Sequence, residues 1–283
     1  KALGIGLQRF STVLGDLAPE ILCLYGDRGE VLVAAIAAIH LGIPIAHIQG
    51  GDITGNVDEQ MRHALTKLAH LHFPSTKESA ARILRMGEEE WRINIVGDNH
   101  VDPIVSGDYT DAASLRDKFN ILDGERPVIV LQHPETTRQR DSYQDMKVTL
   151  EAAMKLQRRT FVIYPCSDHG YEGIIKAIDE IKDMPLVSVH QNLDAPDFWG
   201  LEAIASVIVG NSSSSLIEAP YFGLPAVLLG ERQIGRERAE NVIECDYLPE
   251  CLETTLAWAT SDQFRALAQE CSHPFGDGYA WKR

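Results

Sequence analysis

The sequence predicts an α/β protein of two doubly wound lobes, each built on a parallel sheet, and three features carry that expectation. Apolar runs of three to six residues recur along the chain without polar alternation, as in strands covered on both faces. Helix-length segments with apolar stripes separate them. At 283 residues the chain also has room for two domains that each bury a core.

In the first lobe, Ile21–Tyr25, Ile43–Ile48 and Ile93–Val96 read as strands. In the second, Val128–Leu131, Phe161–Tyr164, Leu186–Val189, Val207–Val209 and Ala226–Leu229 do. Met61, Leu65, Leu68 and Leu71 form one helical stripe; Ile174, Ala177, Ile178 and Ile181 form another. Ser75 and Glu78 have capping-box spacing before a helix that Gly87 would end. Between Gly97 and Pro127 the strand rhythm lapses among Asp and Gly residues. The boundary is therefore expected near residue 107, giving lobes 1–107 and 108–283. The first lobe reads as a strand or two short, as if its start were clipped.

Composition narrows the function. Twenty-six Lys and Arg against 41 Asp and Glu leave a net charge of −15, the wrong sign for a nucleic-acid or anionic-membrane surface. No apolar run reaches the ~18 residues of a membrane span. The five cysteines, Cys23, Cys166, Cys245, Cys251 and Cys271, are odd in number and irregularly spaced. Reduced thiols in a cytoplasmic protein fit that pattern better than a disulfide framework.

In wound sheets ligands gather beyond the carboxyl ends of the strands, so the residues after each apolar run are the candidates. Asp27 follows the first run and Asp52 the second; Asp58 opens the next helix, which carries Arg62. Carboxylates crowded into one site push their pKa values apart, so that one serves as base and another as acid. Each could equally favour a helix start. After Val207–Val209 comes Gly210-Asn-Ser-Ser-Ser-Ser-Leu-Ile-Glu218. A strand, a tight turn of small polar residues and a helix suit phosphate oxygens, through turn N–H groups and hydroxyls. Ser212, Ser213 and Ser214 are the donors in this reading, and Glu218 a carboxylate for vicinal ribose hydroxyls. A plain serine-rich cap is the alternative. His133 reads as a polar residue at a strand end or as a structural histidine. Arg232, Arg236 and Arg238 read as partners of a diphosphate or as solvated surface, and Phe198 as a base-stacking ring or a core anchor. The histidines lack the spacing of a metal site.

Several longer motifs together resemble the hydrolysing UDP-N-acetylglucosamine 2-epimerases. They are Tyr25-Gly-Asp27-Arg-x-Glu30, His47-Ile-Gln-Gly-Gly-Asp52 and Asp58-Glu-x-x-Arg62-His-Ala-Leu-Thr-Lys-Leu-Ala-His70-Leu-His-Phe73. Gly210-Asn-Ser-Ser-Ser-x-x-Ile-Glu218-Ala-Pro-x-x-Gly223, Gly235-Arg-x-Arg238-Ala-Glu-Asn-Val242 and Pro274-Phe-Gly-Asp-Gly278 complete the set. The resemblance implies a GT-B fold with a UDP-sugar in the cleft between its lobes. It implies elimination of UDP through loss of the C2 proton, giving a 2-acetamidoglucal, and then hydration to a free N-acetylmannosamine-type sugar for sialic or related nonulosonic acids. Asp27, Asp52 and Asp58 would handle the protons, and Arg62 would contact substrate. Ser212, Ser213, Ser214 and His133 would hold phosphates, Glu218 the ribose, Phe198 the uracil, and Arg238 would lie near the diphosphate. No metal or other cofactor is implied, and a homodimer or homotetramer is. Some members have glutamate where this chain has Gln49, which does not titrate. A non-hydrolysing 2-epimerase, a GT-B glycosyltransferase and a UDP-sugar-binding protein without turnover are the competing readings. The Gly-Gly-Asp and Arg-His-Ala-Leu-Thr-Lys stretches favour the hydrolysing branch.

Overall fold

Val128–Leu131 (β4), Thr160–Ile163 (β5), Val207–Gly210 (β7) and Ala226–Leu229 (β8) are buried at every position, the environment that uninterrupted apolar runs require. The structure is a computed structural model describing residues 1–55, 57–136 and 140–283. Val187–His190 (β6) and Val242–Cys245 (β9) lie at the edges and are less buried. All six strands are parallel, in the order β6-β5-β4-β7-β8-β9. Counted from β4 this is 3-2-1-4-5-6, the nucleotide-binding order, whose switch point lies between β4 and β7.

Alternate strand residues feed two cores, as the pleat demands. Val128, Val130, Val207 and Val209 pack with Met146, Leu150, Ile174, Leu252 and Leu256 from helices Ser142–Lys155, Tyr171–Asp179 and Pro249–Ala259. Ile129, Phe161 and Ile208 pack with Leu115 and Leu201, from helices Ala112–Phe119 and Ala195–Ile204 on the opposite face. Three small parallel strands form the other sheet: Leu22–Tyr25 (β1), Ile45–Ile48 (β2) and Leu71–Phe73 (β3), in that order. Its core joins Leu24 and Ile45 to Leu14, Ala34, Ala38 and Leu65 from helices Ala2–Leu17, Gly29–His40 and Asp58–Leu68.

The chain divides into two compact units, Lys1–Asp102 with Ile234–Arg236 and Phe275–Arg283, and Pro103–Gln233 with Glu237–Pro274. The partition thus falls at residue 102 rather than 107, and the terminal segment groups with the first unit. Bonds explain that grouping: Asp98 N–H donates to the Phe275 carbonyl at 2.7 Å, and the Ala280 and Trp281 amides donate to the Asp102 carboxylate at 2.9 Å each.

Local expectations need correction at several points. Ile93–Val96 is not a strand; Ile93 makes a single bridge to His72, and Ile95 is exposed. The stripe from Met61 ends at Leu68, and Leu71 opens β3. The cap expected at Ser75 is Thr76, whose hydroxyl accepts the Ser79 N–H at 3.1 Å. The helix after the serine run is one turn, Ser214–Ile217, followed by a 3₁₀ segment Ala219–Phe222. Among the described residues no helix is long and apolar enough to cross a membrane.

Candidate active site

In the first unit the acids sit where the strands end. Asp27 follows β1 by two residues, and Asp52 follows β2 by four. Arg62, on helix Asp58–Leu68 with its side chain 3% exposed, joins them. Its Nε donates to Asp27 Oδ2 at 2.9 Å, its Nη2 pairs with the same oxygen, and its Nη1 donates to the Asp52 carbonyl at 2.8 Å. The guanidinium fork can span two such acceptors in one plane.

Asp52 is buried and doubly held. Ser79 Oγ donates to its Oδ1 at 2.5 Å, while Arg236 donates to Oδ2 through Nε at 3.2 Å and forms an ion pair with the same oxygen through Nη2 at 3.1 Å. Gly51 makes this approach feasible. Its φ is +87°, and a Cβ there would sit 2.4 Å from the Ser79 carbonyl oxygen; only glycine accepts both conditions. Asp58 is the first residue of its helix, where the dipole favours a carboxylate.

Two further groups frame the acids. Gln49, with φ +62°, donates its amide to Asp98. Burial works against the Asp98 charge, but bonds from His100 and Gln49 outweigh it and hold the carboxyl below its usual range. His47 is wholly buried, and its Nε2–H donates to the Gly26 carbonyl at 2.9 Å. Burial lowers its imidazole to about 4, against the smaller opposing effect of that bond.

In the second unit, Asn211 ties the switch point together. Its Oδ1 accepts the His133 N–H at 2.7 Å, and its Nδ2 donates to the His133 carbonyl at 2.8 Å. The loop after β4 is thereby locked to the serine turn after β7. The His133 Nδ1 accepts the Cys166 N–H at 3.0 Å, which leaves the neutral ring its Nε2–H as donor. Burial, and then Arg232, push that imidazole down to about 3. Ser212 and Ser214 are buried and share a hydroxyl–hydroxyl bond of 2.9 Å. Glu218 closes the single helical turn, and the Trp199 indole donates to its Oε1 at 3.5 Å. A cavity of about 620 Å³ borders this region, lined by His133, Glu135, Arg140, His169 and Tyr247 among others. Among the described residues no cluster of three or more His, Cys, Asp or Glu could hold a metal ion.

The sequence profile of the UDP-N-acetylglucosamine 2-epimerases matches residues 1–283. The chain belongs to that family. It is 37% identical over 287 residues to the UDP-N,N'-diacetylbacillosamine 2-epimerase (hydrolyzing) of Legionella pneumophila, an alignment covering all of this chain and 74% of the relative. It is 28% identical over 253 residues to the GDP/UDP-N,N'-diacetylbacillosamine 2-epimerase (hydrolyzing) of Campylobacter jejuni, covering 87% of this chain and 65% of that one. The fold matches the crystal structure of the UDP-GlcNAc 2-epimerase from Neisseria meningitidis bound to UDP-GlcNAc, with a TM-score of 0.85 at 19% identity, over 99% of this chain and 79% of that one. The α/β architecture is therefore GT-B-like, as the motifs imply.

Within this family member the site residues named from sequence fall into groups. Asp27, Asp52 and Arg62 come together in the first unit, with Asp58 at the start of the helix that carries Arg62. His133 joins the turn of Ser212, Ser213 and Ser214 through Asn211. Phe198 packs partly buried against the core around Leu201. Arg238 pairs with Glu244 and donates to the Gln233 carbonyl, and Arg232 pairs with Asp168 at 3.4 Å. Of the nucleotide candidates only His133 lines the cavity. Sequence reasoning missed the roles of Asn211, of Arg236 as the partner of Asp52, and of Asp98 as the partner of Gln49. Only the motifs containing Asn211 and Arg236 hinted at them.

Proposed function

We propose that this protein is a hydrolysing 2-epimerase of a UDP-2-acetamido sugar, releasing UDP and the free 2-epimeric sugar. The names of the Legionella and Campylobacter relatives make UDP-N,N'-diacetylbacillosamine the first substrate to try, with UDP-N-acetylglucosamine second. The observation that carries the reading is the Asn211 lock between His133 and the serine turn. It supports a phosphate cradle at the point where this strand order holds nucleotides. Ser212, Ser213, Ser214 and the His133 Nε2–H are the donors to phosphate oxygens, and Arg238 adds positive charge nearby. Glu218 accepts from the ribose diol, and Phe198 meets the uracil.

The chemistry falls to Asp27, Asp52 and Asp58, with Arg62 on the substrate side. A proton on a carbon bearing an acetamido nitrogen is very weakly acidic. Its removal requires a positioned carboxylate and neutralisation of the departing diphosphate in the same transition state. One carboxylate takes the C2 proton while the C1–O bond breaks, and its electrons leave with UDP. The C2–H pair becomes the C1=C2 double bond of a 2-acetamidoglucal. Water then adds its hydroxyl at C1 and a proton at C2 from the opposite face. Arg62 and Arg236 orient the acids, so their geometry is set before substrate arrives.

The test is NMR of the full-length protein with each UDP-sugar in deuterated water containing EDTA. Free UDP and a mannosamine-type sugar carrying deuterium at C2 are expected. UDP-sugar bound but unchanged would instead leave a binding protein, and a UDP-linked 2-epimer would indicate the non-hydrolysing reaction.

A further inference from the structure

Two thiols play no part in that scheme. Cys245 ends β9, and Cys251 lies in the first turn of helix Pro249–Ala259. The Cys245 thiol donates to the Cys251 sulfur at 3.4 Å, and it lies 3.3 Å from the Asp246 carbonyl. A disulfide brings its sulfurs to about 2.05 Å, so only a short approach separates this contact from a bond. Cys166 and Cys271 face oxygens instead, the Asp168 carboxylate at 3.0 Å and the Pro220 carbonyl at 3.5 Å. Cys251 is exposed and Cys245 half-buried, and burial pushes the Cys245 thiol up to about 11. An oxidant that attacks thiolates therefore meets Cys251 first. The chain joining the two reaches the nucleotide site. Tyr247 accepts the Asn211 Nδ2–H at 3.3 Å and donates its hydroxyl to Glu135 Oε1 at 3.4 Å. It thus backs the residue that locks His133 to the serine turn.

We propose that Cys245 and Cys251 form a reversible disulfide on exposure to a hydroperoxide, and that the bridge loosens the phosphate cradle through Tyr247. The second half rests on reading the serine turn as that cradle. The Cys251 thiolate attacks one oxygen of hydrogen peroxide and the O–O bond breaks. The released hydroxide takes up the proton that Cys251 gave, leaving as water, and Cys251 becomes a sulfenic acid. The Cys245 sulfur then attacks the Cys251 sulfur; the S–O bond breaks, and the hydroxide departs with the Cys245 proton as a second water. Two thiols are thereby oxidised to one disulfide, and one peroxide is reduced to two waters. Closing the pair draws the end of β9 toward the start of helix Pro249–Ala259, and Tyr247 lies on the segment between them.

Peptide mapping by mass spectrometry of the full-length protein, after hydrogen peroxide and alkylation of the remaining thiols, tests the bridge. A Cys245–Cys251 linked peptide is expected, lighter by two hydrogens and reopened by dithiothreitol. In Cys245→Ser, dimedone should trap a sulfenic acid on Cys251. Both cysteines alkylated after peroxide, or each linked elsewhere, would overturn the proposal. Calorimetry with UDP tests the coupling. Oxidised wild type should bind about fivefold more weakly than reduced, the worth of one hydrogen bond, and recover with dithiothreitol. Cys251→Ser should bind as reduced wild type does, before and after peroxide. Tyr247→Phe should be weak when reduced and lose nothing further on oxidation. A bridge that leaves UDP affinity unchanged, or an equal loss in peroxide-treated Cys251→Ser, would overturn the coupling. If reduced wild type does not bind UDP, the proposed function falls and the coupling with it, while mapping still decides the bridge. Cooperative thermal unfolding of each form separates these outcomes from misfolding.

Discussion

Arg62 holds Asp27 by its side chain and Asp52 by its backbone, through one guanidinium that is almost wholly buried. The ends of β1 and β2 are thus fastened to helix Asp58–Leu68 by a single residue. Replacing it strands a partly buried carboxylate and an unpaired carbonyl. Arg62→Met should cost about 3 kcal/mol, the lower end for breaking a buried pair. Arg62→Lys, with one point charge for two acceptors, should lose a smaller part of that. Urea unfolding measures both; a loss under about 1 kcal/mol for the methionine variant would mean the pair does not organise this loop.

His47 makes stability depend on pH. Its ring is wholly buried, Nε2–H donates to Gly26, and Nδ1 has no partner among the described residues. The folded chain takes up the proton at about 4, the unfolded chain at the ordinary 6.5. The unfolded state therefore holds more protons between those values. Stability from the neutral ring is complete above pH 6.5 and is lost as pH falls toward 4. Between pH 7 and pH 5 the loss is about 2 kcal/mol. Denaturant midpoints for wild type and His47→Gln across that range should differ in slope; parallel profiles would refute the assignment.

Gly210 and Gly4 should respond to alanine with opposite signs. Gly210 ends β7 with φ +143°, and a Cβ would meet the Leu131 carbonyl oxygen of β4 at 2.0 Å. Alanine there must part the two strands at the switch point, costing at least about 2 kcal/mol. Gly4 lies within helix Ala2–Leu17 with open space around its added Cβ. Alanine there should stabilise by about 0.5–1 kcal/mol. Thermal melts of the two variants should move apart, and a destabilised Gly4→Ala would show that the helix is not formed as described.

What could be read from sequence follows how local each signal is. β4, β7 and β8 announce themselves because burial on both faces forces unbroken apolar runs, and Val128–Leu131 and Ala226–Leu229 lie where those runs place them. Leu71–Phe73 and Val242–Cys245 escape because His72 and Glu244 interrupt them. The acids were legible too, since a strand end is a sequence-local feature. Their partners were not. Arg236 meets Asp52 across 184 residues and Asn211 meets His133 across 78, and no periodicity encodes such pairings.

The decisive comparison is among Asp27→Asn, Asp52→Asn and Asp58→Asn. Amide replaces carboxylate at constant shape, so nucleotide binding by the other unit should persist while proton transfer fails. A positioned acid or base contributes roughly 10²–10⁴-fold, so turnover of the UDP-sugar should fall by at least about 10² in the variant that removes the C2 base. The three losses should differ in kind. The variant lacking the base should abolish deuterium exchange at C2. The variant lacking the acid should slow UDP release yet still hydrate a supplied 2-acetamidoglucal. Asp52→Asn carries an added structural penalty, because Arg236 loses its carboxylate in a buried setting, so its unfolding must be measured alongside. UDP affinity near the wild-type value in all three, with turnover lost, is the expected pattern. Near-normal turnover in all three would remove these carboxylates from the chemistry.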